Sequence, residues 1–150
     1  MCTAITFQGD HFYFGRTLDH TCSYAEEVVL SPRNHHLTFR QCPRLSRHLA
    51  ILGMAHVEGD YPLYYDATNE KGLSMAGLNF PDNACYYDTA EGKENVTPFE
   101  LIPRVLGMCA TVSEACTLLQ NTNPVHIPYS DELPLTPLHW LLSDASESVV

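Results

Sequence analysis

The stretch that decides the fold lies at the start of the chain, where residues 3–15 read TAITFQGDHFYFG. Residues 3–7 alternate small or polar side chains with apolar ones, and residues 11–15 form a second β-rich run. The Gly9-Asp10 pair between them is typical of a tight turn, so this stretch predicts a β-hairpin. Further β-rich runs predict strands at residues 27–30, 37–40, 49–57 and 72–80.

The sequence leaves two registers open for this hairpin. With a two-residue turn at Gly9-Asp10, Cys2 lies opposite Thr17, whereas a longer loop places Cys2 opposite Arg16. A shift of one residue moves every side chain of a strand to its other face, so this choice matters for the chemistry of the hairpin. In either register, Arg16 and Asp19 are expected near Cys2.

The chain changes character near residue 97, where helix signals replace strand signals. Residues 97–100 (TPFE) form a capping box with proline at the first helical position, and residues 111–114 (TVSE) form a second capping box. They predict one helix with a kink at Pro103 and another that ends near Asn121. The elements expected after the helices are a loop at residues 123–137, a buried strand at 138–142 and a strand beginning at Val149. This order of elements predicts an α+β layered protein.

Composition and charge exclude several classes of protein. The 150 residues include 18 acidic and 8 basic side chains, which gives a formal net charge of −10, and 45% are hydrophobic. The hydrophobic share argues against a disordered acidic tail, and the acidic balance argues against a nucleic-acid partner. No apolar run approaches the ~18 residues of a membrane span, so no membrane partner is predicted. The acid-free stretch at residues 33–48 is interpreted as a solvated loop rim rather than an anion-binding patch.

The cysteines do not favour a disulfide framework. They are Cys2, Cys22, Cys42, Cys85, Cys109 and Cys116. No pair has CxxC spacing, and the first residues lack the basic and apolar regions of a signal peptide. We therefore predict a reduced, cytoplasmic protein. The histidines lack metal-ligand spacing and the glycines form no nucleotide-binding motif, so neither a metal nor an organic cofactor is predicted.

The position of Cys2 gives it a distinct chemistry. Initiator methionine is commonly removed before a small residue, and its removal would leave Cys2 with a thiol and a free α-amino group. The ordinary pKa values of these groups are about 8.5 and about 7.7–8.0, so an N-terminal nucleophile can use its own amine as the base. Arg16 could favour the thiolate and Asp19 could hold the α-ammonium group. The alternative is that Cys2 is only a chain end and that the two charges are surface residues.

A family resemblance rests on several motifs taken together. They are residues 1–4 (MCTA) with 14–19 (FGRTLD), residues 69–81 (NEKGLSMAGLNFP), Ile127-Pro128, and residues 138–144 (LHWLLSD). In this order they resemble the choloylglycine hydrolases, which are the bile salt hydrolases and penicillin V acylases of the N-terminal nucleophile hydrolase superfamily. The resemblance extends over essentially the whole chain, and the combination of motifs is highly specific.

The resemblance implies an αββα four-layer sandwich with two antiparallel sheets. It also implies hydrolysis of an amide through an acyl-cysteine intermediate, without a cofactor. By position, Cys2 matches the nucleophile, and Arg16 matches the cation beside the thiol. Asp19 matches the partner of the α-amine, and Asn79 matches the residue whose backbone N–H helps to form the oxyanion hole. Hydrogen-bond donors aimed at a developing oxyanion each supply about 2.7–4 kcal/mol.

Family chains are much longer, so residues 1–150 are expected to be the N-terminal part of a single choloylglycine hydrolase domain. The complete protein would be a homotetramer in the cytoplasm of a bacterium, with the gut as the implied habitat. Half of a two-sheet sandwich exposes apolar faces and strand edges. We therefore expect the 150 residues alone to be inactive and poorly stable.

The resemblance also bears on the substrate. Asn79 resembles the bile salt hydrolases, whereas penicillin V acylases often have tyrosine there, which favours glycine- or taurine-conjugated bile acids. The residues that match substrate-binding loop positions are Leu18, Tyr65, Tyr129 and Leu133. Their alternative role is ordinary loop packing. The alternative functions are a penicillin V acylase, another N-acyl amide hydrolase, or an inactive truncated fragment.

Overall fold

The computed structural model describes residues 2–19 and 22–150, and in them a run of strands is interrupted by one helical segment. The strands are β1 (Ala4–Gln8), β2 (Phe12–Arg16), β3 (Glu27–Ser31), β4 (Ile51–Glu58), β5 (Tyr61–Asn69), β6 (Ser74–Asn79), β7 (Glu94–Val96), β8 (Thr122–Pro124), β9 (Leu138–Ser143) and β10 (Ser148–Val149). The helices are a 3-10 turn (Pro98–Glu100), α1 (Leu101–Met108) and α2 (Val112–Leu119). The predicted α+β class is confirmed, and the strands pair antiparallel except for β7 and β8, which form a short parallel pair.

Six of these strands form the main sheet, in the order β10-β9-β6-β5-β4-β3, with every neighbouring pair antiparallel. The pairing of β4 with β5 is interrupted, because Met54 pairs with Asp66 whereas Ala55 pairs with Tyr64. Tyr65 is therefore the extra residue of a β-bulge. Bulges redirect a side chain and strengthen the local twist, so Tyr65 leaves the regular alternation of its strand.

The β1–β2 hairpin forms as predicted, but both predicted registers are wrong. Gln8 pairs with Phe12 and Ala4 pairs with Arg16, so His11 belongs to the loop and not to the second strand. The loop is closed by the Gly9 N–H, which donates to the His11 carbonyl at 3.0 Å. Continued beyond the ladder, this register places Cys2 opposite Leu18 rather than Thr17 or Arg16.

Two further differences concern strands. The strand predicted at residues 37–40 is absent from the described part of the chain, where Leu37 makes only an isolated bridge to Leu45. Leu37 is buried against the helical layer instead, near Gly107 of α1. Conversely, β5 was not predicted, because Pro62 near its start and the bulge at Tyr65 disturb the period-two pattern that marks a strand.

Both predicted helix starts are confirmed. Thr97 and Glu100 form the capping box, and the first turn is a 3-10 turn that leads into α1. Pro103 lies in the first turn of α1, where a missing backbone N–H removes no hydrogen bond of the helix. Thr111 caps α2 by accepting from the Glu114 N–H at 3.2 Å. The strands predicted at 138–142 and from Val149 are present as β9 and β10.

The core lies between α1 and the face of the main sheet formed by β4, β5 and β6. Its fully buried side chains include Ile51, Leu73, Met75, Val105, Leu106 and Val112. Val28, Leu30 and Leu52 are more than half exposed on β3 and β4. These exposed side chains agree with the apolar surface expected for part of a sandwich. No helix in residues 2–19 and 22–150 is long and apolar enough to cross a membrane.

Candidate active site

One cavity of about 380 Å³ collects most of the residues that the sequence singles out. Its lining includes all four candidate catalytic residues, Cys2, Arg16, Asp19 and Asn79. It also includes three of the four candidate substrate-binding residues, Tyr65, Tyr129 and Leu133. Leu18 is the exception, because it lines a separate depression of about 280 Å³ beside Asp66. The predicted removal of Met1 lies outside the described residues.

Arg16 is fixed in the wall of this cavity. Only 6% of its side chain is exposed, and Nη1 donates to Asp66 Oδ2 at 3.3 Å while Nη2 donates to the Gly77 carbonyl at 3.0 Å. Its Nε–H has no hydrogen-bond partner among the described residues. Burial raises the pKa of the Asp66 carboxyl, and the Arg16 charge opposes that rise. The pair therefore places a positive charge in the wall of the cavity that Cys2 also lines, and it ties the hairpin to β6, the strand that ends at Asn79.

Asp19 is connected to the residue that follows Cys2. The Thr3 backbone N–H donates to Thr17 Oγ1 at 3.0 Å, and the Thr17 hydroxyl donates to Asp19 Oδ2 at 3.1 Å. The Thr17 N–H also donates to the Thr3 carbonyl at 2.8 Å. These contacts hold the Asp19 carboxylate close to the start of the chain, which is where an α-ammonium group would need a partner.

Asn79 is the last residue of β6. It pairs with Leu138 of β9, and the next residue, Phe80, donates its N–H to the Pro137 carbonyl at 2.7 Å. The Phe80 ring packs edge-on against His139, with 4.7 Å between the ring centroids. The backbone around Asn79 is thus fixed by β9 and by the residue that precedes it, Pro137, and a fixed backbone is what a donor for an oxyanion hole requires.

The remaining lining is mostly apolar or aromatic. It includes Leu63, Phe99, Ile102, Leu135, Leu138 and Trp140. Tyr65 reaches the cavity from the bulge, and burial raises the pKa of its phenol to about 12. A pocket with polar groups concentrated on a few residues and an apolar remainder suits an amphipathic small molecule.

Cys2 differs from the other cysteines in its surroundings. All six are unpaired, and Cys2 is the one that lines the cavity among the residues described. Burial raises the pKa of Cys109 to about 11 and also raises that of Cys42, so neither favours a thiolate. In residues 2–19 and 22–150, no group of three or more His, Cys, Asp or Glu side chains could hold a metal ion.

Sequence reasoning missed several residues at this site. Asp66 belongs to β5, a strand that was not predicted, so no pattern connected it with Arg16. Trp140 and Phe99 lie inside quoted motifs, yet the motifs alone do not tell a lining residue from a core residue. The contact of Arg40 with Phe99 and Tyr129 also escapes sequence reasoning, because the acid-free pattern of residues 33–48 predicts a solvated rim.

Comparisons with known proteins give a consistent picture. Residues 2–150 match the model of the linear amide C–N hydrolases, choloylglycine hydrolase family. A bile salt hydrolase/transferase of Lactiplantibacillus plantarum is 50% identical over 150 residues, which are 100% of this chain and 46% of that protein. The chain therefore spans about half the length of the curated relatives that it matches.

Solved structures point the same way. The crystal structure of the mutant C2A conjugated bile acid hydrolase from Clostridium perfringens superposes with a TM-score of 0.89 at 36% identity, over 96% of this chain and 45% of that one. Penicillin V acylase from Agrobacterium tumefaciens gives a TM-score of 0.71 at 20% identity, over 97% and 43% of the two chains. The second likeness shows a shared fold.

Proposed function

The chain belongs to the choloylglycine hydrolase family of linear amide C–N hydrolases, and we propose that the complete protein cleaves the amide bond of glycine- or taurine-conjugated bile acids. The observation that carries this proposal is the cavity, whose lining combines Cys2, Arg16, Asp19 and Asn79 with an apolar and aromatic wall. The names of the relatives from Lactiplantibacillus plantarum and Lactobacillus gasseri support the same substrate class.

In the proposed mechanism, the α-amino group of Cys2 takes the thiol proton, and the resulting thiolate adds to the amide carbonyl carbon. Arg16 favours the thiolate by its charge, and the Asn79 backbone N–H donates to the oxyanion that develops. The carbon–nitrogen bond then breaks, and glycine or taurine leaves with a proton from the α-amino group of Cys2. Water, deprotonated by the same amine, attacks the thioester, so the carbon–sulfur bond breaks and the thiol is restored. Asp19 holds the α-ammonium form.

The apolar wall fits the proposed acyl group. A cavity of about 380 Å³ lies within the usual size range of small-molecule sites, and its lining by Tyr65, Tyr129 and Leu133 matches a rigid apolar body. Leu18 faces another depression in this structure, so we propose no contact between it and the acyl group. Penicillin V is the competing substrate, because a penicillin V acylase shares the fold. That acylase is more distant in sequence than the conjugated bile acid hydrolase, which favours the bile acids.

We further propose that activity needs residues beyond these 150. The chain spans 46% of the Lactiplantibacillus plantarum relative, and its main sheet exposes apolar side chains on β3 and β4. Residues 1–150 are then the N-terminal part of one domain, and the complete protein is a cytoplasmic homotetramer. Residues 1–150 purified alone should show no turnover of glycocholate, and clear turnover would contradict this part of the proposal.

The direct test of function is a parallel assay of the complete gene product on glycocholate, taurocholate and penicillin V. The proposal predicts release of glycine or taurine at a higher kcat/KM than the hydrolysis of penicillin V. Faster hydrolysis of penicillin V would assign the protein to the acylases. Turnover of none of the three substrates would remove the proposed activity altogether.

A further inference from the structure

One wall of the cavity is an irregular segment, residues 128–136, which we call the wall loop. It contributes Tyr129, Leu133 and Leu135 to the lining. Inside the loop, the Leu133 N–H donates to Ser130 Oγ at 3.1 Å and the Ser130 N–H donates to the Leu133 carbonyl at 3.3 Å. These local bonds shape the loop but do not attach it to the rest of the protein.

The carboxyl end of the wall loop is attached by a tyrosine. The Tyr86 hydroxyl donates to the Thr136 carbonyl at 2.7 Å and accepts from the Leu138 N–H at 2.9 Å. Phe80 adds a backbone bond to Pro137, so this end continues directly into the β6–β9 ladder. The position of the carboxyl end is therefore determined by the sheet.

The amino end is attached by Arg40, which comes from a distant part of the sequence. Arg40 Nη1 donates to the Pro128 carbonyl at 2.6 Å, and Nη2 donates to the Tyr129 carbonyl. The backbone N–H of Arg40 donates to Glu100 Oε1 at 2.8 Å, and Glu100 is almost fully buried at the start of α1. Arg40 thus connects the wall loop to a rigid part of the core.

The guanidinium of Arg40 also lies between two aromatic rings of the cavity. Its Cζ is 5.0 Å from the centroid of Phe99 and 5.2 Å from that of Tyr129. The two rings meet edge to face, with 5.2 Å between their centroids, and Tyr61 packs against both. A cation at these distances is attracted to the ring faces, so Arg40 contacts both the backbone and the ring of Tyr129. The Tyr129 hydroxyl also donates to the Glu58 carbonyl at 3.4 Å, which leaves Arg40 as the contact that holds the backbone at this end of the wall loop.

We propose that Arg40 is a positioning residue that holds the wall loop against the acyl group of the substrate. The identity of the substrate in this inference rests on the proposed function. The attachment of the wall loop by Arg40 does not depend on that function. Among the described residues, Arg40 is not part of the cavity lining, so it acts through Pro128, Phe99 and Tyr129. Lysine cannot replace it fully, because an ammonium group lacks the planar fork that reaches two carbonyls and stacks between rings.

The experiment compares Arg40→Met and Arg40→Lys in the complete protein, with Arg44→Met as the matched control. Arg44 is an exposed arginine in the same acid-free stretch. Loosening of the loop is measured by the rate of Glu-C cleavage after Glu132, with the site identified by mass spectrometry. Binding is measured by kcat and KM for a conjugated bile salt.

For Arg40→Met we expect cleavage after Glu132 to rise by about fivefold, because local opening exposes the loop. KM should rise by about tenfold while kcat changes by less than about twofold, which indicates lost binding rather than lost chemistry. Arg40→Lys should fall between Arg40→Met and the wild type, and Arg44→Met should match the wild type in both measurements.

Two results would overturn the inference. One is wild-type cleavage after Glu132 in Arg40→Met, and the other is an equal fall of kcat and kcat/KM with KM unchanged. If the wild-type protein hydrolyses no bile salt, the proposed function fails, and the cleavage rates alone then decide whether Arg40 holds the loop.

Discussion

Arg16 Nη1 lies 3.3 Å from Asp66 Oδ2, so the last residue of the β1–β2 hairpin is held by a carboxylate in the main sheet. The other terminal nitrogen of Arg16 bonds to Gly77 on the strand that ends at Asn79. The guanidinium therefore has one defined position in the wall of the cavity that Cys2 also lines. Because the Arg16 side chain is almost fully buried, its charge depends on Asp66 for compensation.

Asp66→Asn tests this dependence. The substitution keeps the shape of the side chain and removes the charge that compensates Arg16, so we expect kcat/KM of the complete protein to fall. Hydrogen bonds to charged groups contribute about 1.5–3 kcal/mol, which corresponds to a loss of about tenfold to a hundredfold. The fall in kcat/KM is measured by steady-state kinetics on a conjugated bile salt.

The control for that experiment is Asp60→Asn, which removes a carboxylate from the exposed turn between β4 and β5. It should leave kcat/KM and thermal stability as in the wild type. Equal kinetics for Asp66→Asn and Asp60→Asn would show that Arg16 does not need its partner.

Asn69 is expected to be a determinant of stability. Its side chain is buried, and Nδ2 donates to the Leu106 carbonyl at 2.9 Å and to the Cys109 carbonyl at 2.7 Å. Its Oδ1 accepts from the N–H groups of Lys71 and Leu73. Asn69→Ala removes the partner of the Leu106 and Cys109 carbonyls and of the Leu73 N–H. Each buried group left unpaired costs about 1–3 kcal/mol, so the free energy of unfolding should fall by several kcal/mol.

Urea unfolding of the complete protein measures this effect, with Asn83→Ala as the control. Asn83 is an exposed asparagine whose amide donates only to the nearby Pro81 carbonyl among the contacts described. A similar midpoint for Asn69→Ala and Asn83→Ala would contradict a structural role for the buried amide.

The lowered pKa of the Glu70 carboxyl is expected to make the stability of the protein depend on pH. Hydrogen bonds from the Arg33 side chain and the Ala50 N–H lower the pKa of its carboxyl to about 2. A carboxyl whose pKa is lowered on folding stabilises the protein above its ordinary pKa of 4.5, and loses that contribution as the pH falls towards 2. The stability difference between the wild type and Glu70→Gln should therefore be largest above pH ~5 and shrink towards pH ~3.

Chemical unfolding at a series of pH values measures this difference. Glu91→Gln, in an exposed turn, serves as the control and should give a small difference that does not vary with pH. A constant difference for Glu70→Gln between pH ~7 and pH ~3 would show that the Arg33–Glu70 contact does not form in solution.

Local signals predicted a large part of the fold. The capping boxes at Thr97 and Thr111 place the helix starts correctly, since a cap is a property of a few adjacent residues. The hairpin register was wrong because it depends on whether His11 joins the loop, which a hydrogen bond within the loop decides. The strand β5 escaped prediction because its bulge breaks the alternation on which the prediction relies.

The residues of the candidate site also fall into two groups, those that the sequence predicts and those that it does not. Cys2, Arg16, Asp19 and Asn79 follow from motifs of adjacent residues, and the structure brings them to one cavity. Asp66 and Arg40 act across long distances in the sequence, through contacts that exist only once the sheet and the wall loop have formed. No spacing or composition rule could have connected them to the cavity.

The most direct test of the central claim is to locate the acyl group in the complete protein. A reaction with glycocholate is quenched rapidly, and the peptides are mapped by mass spectrometry. We predict a cholyl thioester on the peptide that begins at Cys2. Cys2→Ala should lose both the thioester and turnover, whereas Cys22→Ala, the control at an exposed cysteine, should retain both. An acyl group on another residue, or wild-type turnover by Cys2→Ala, would contradict the account.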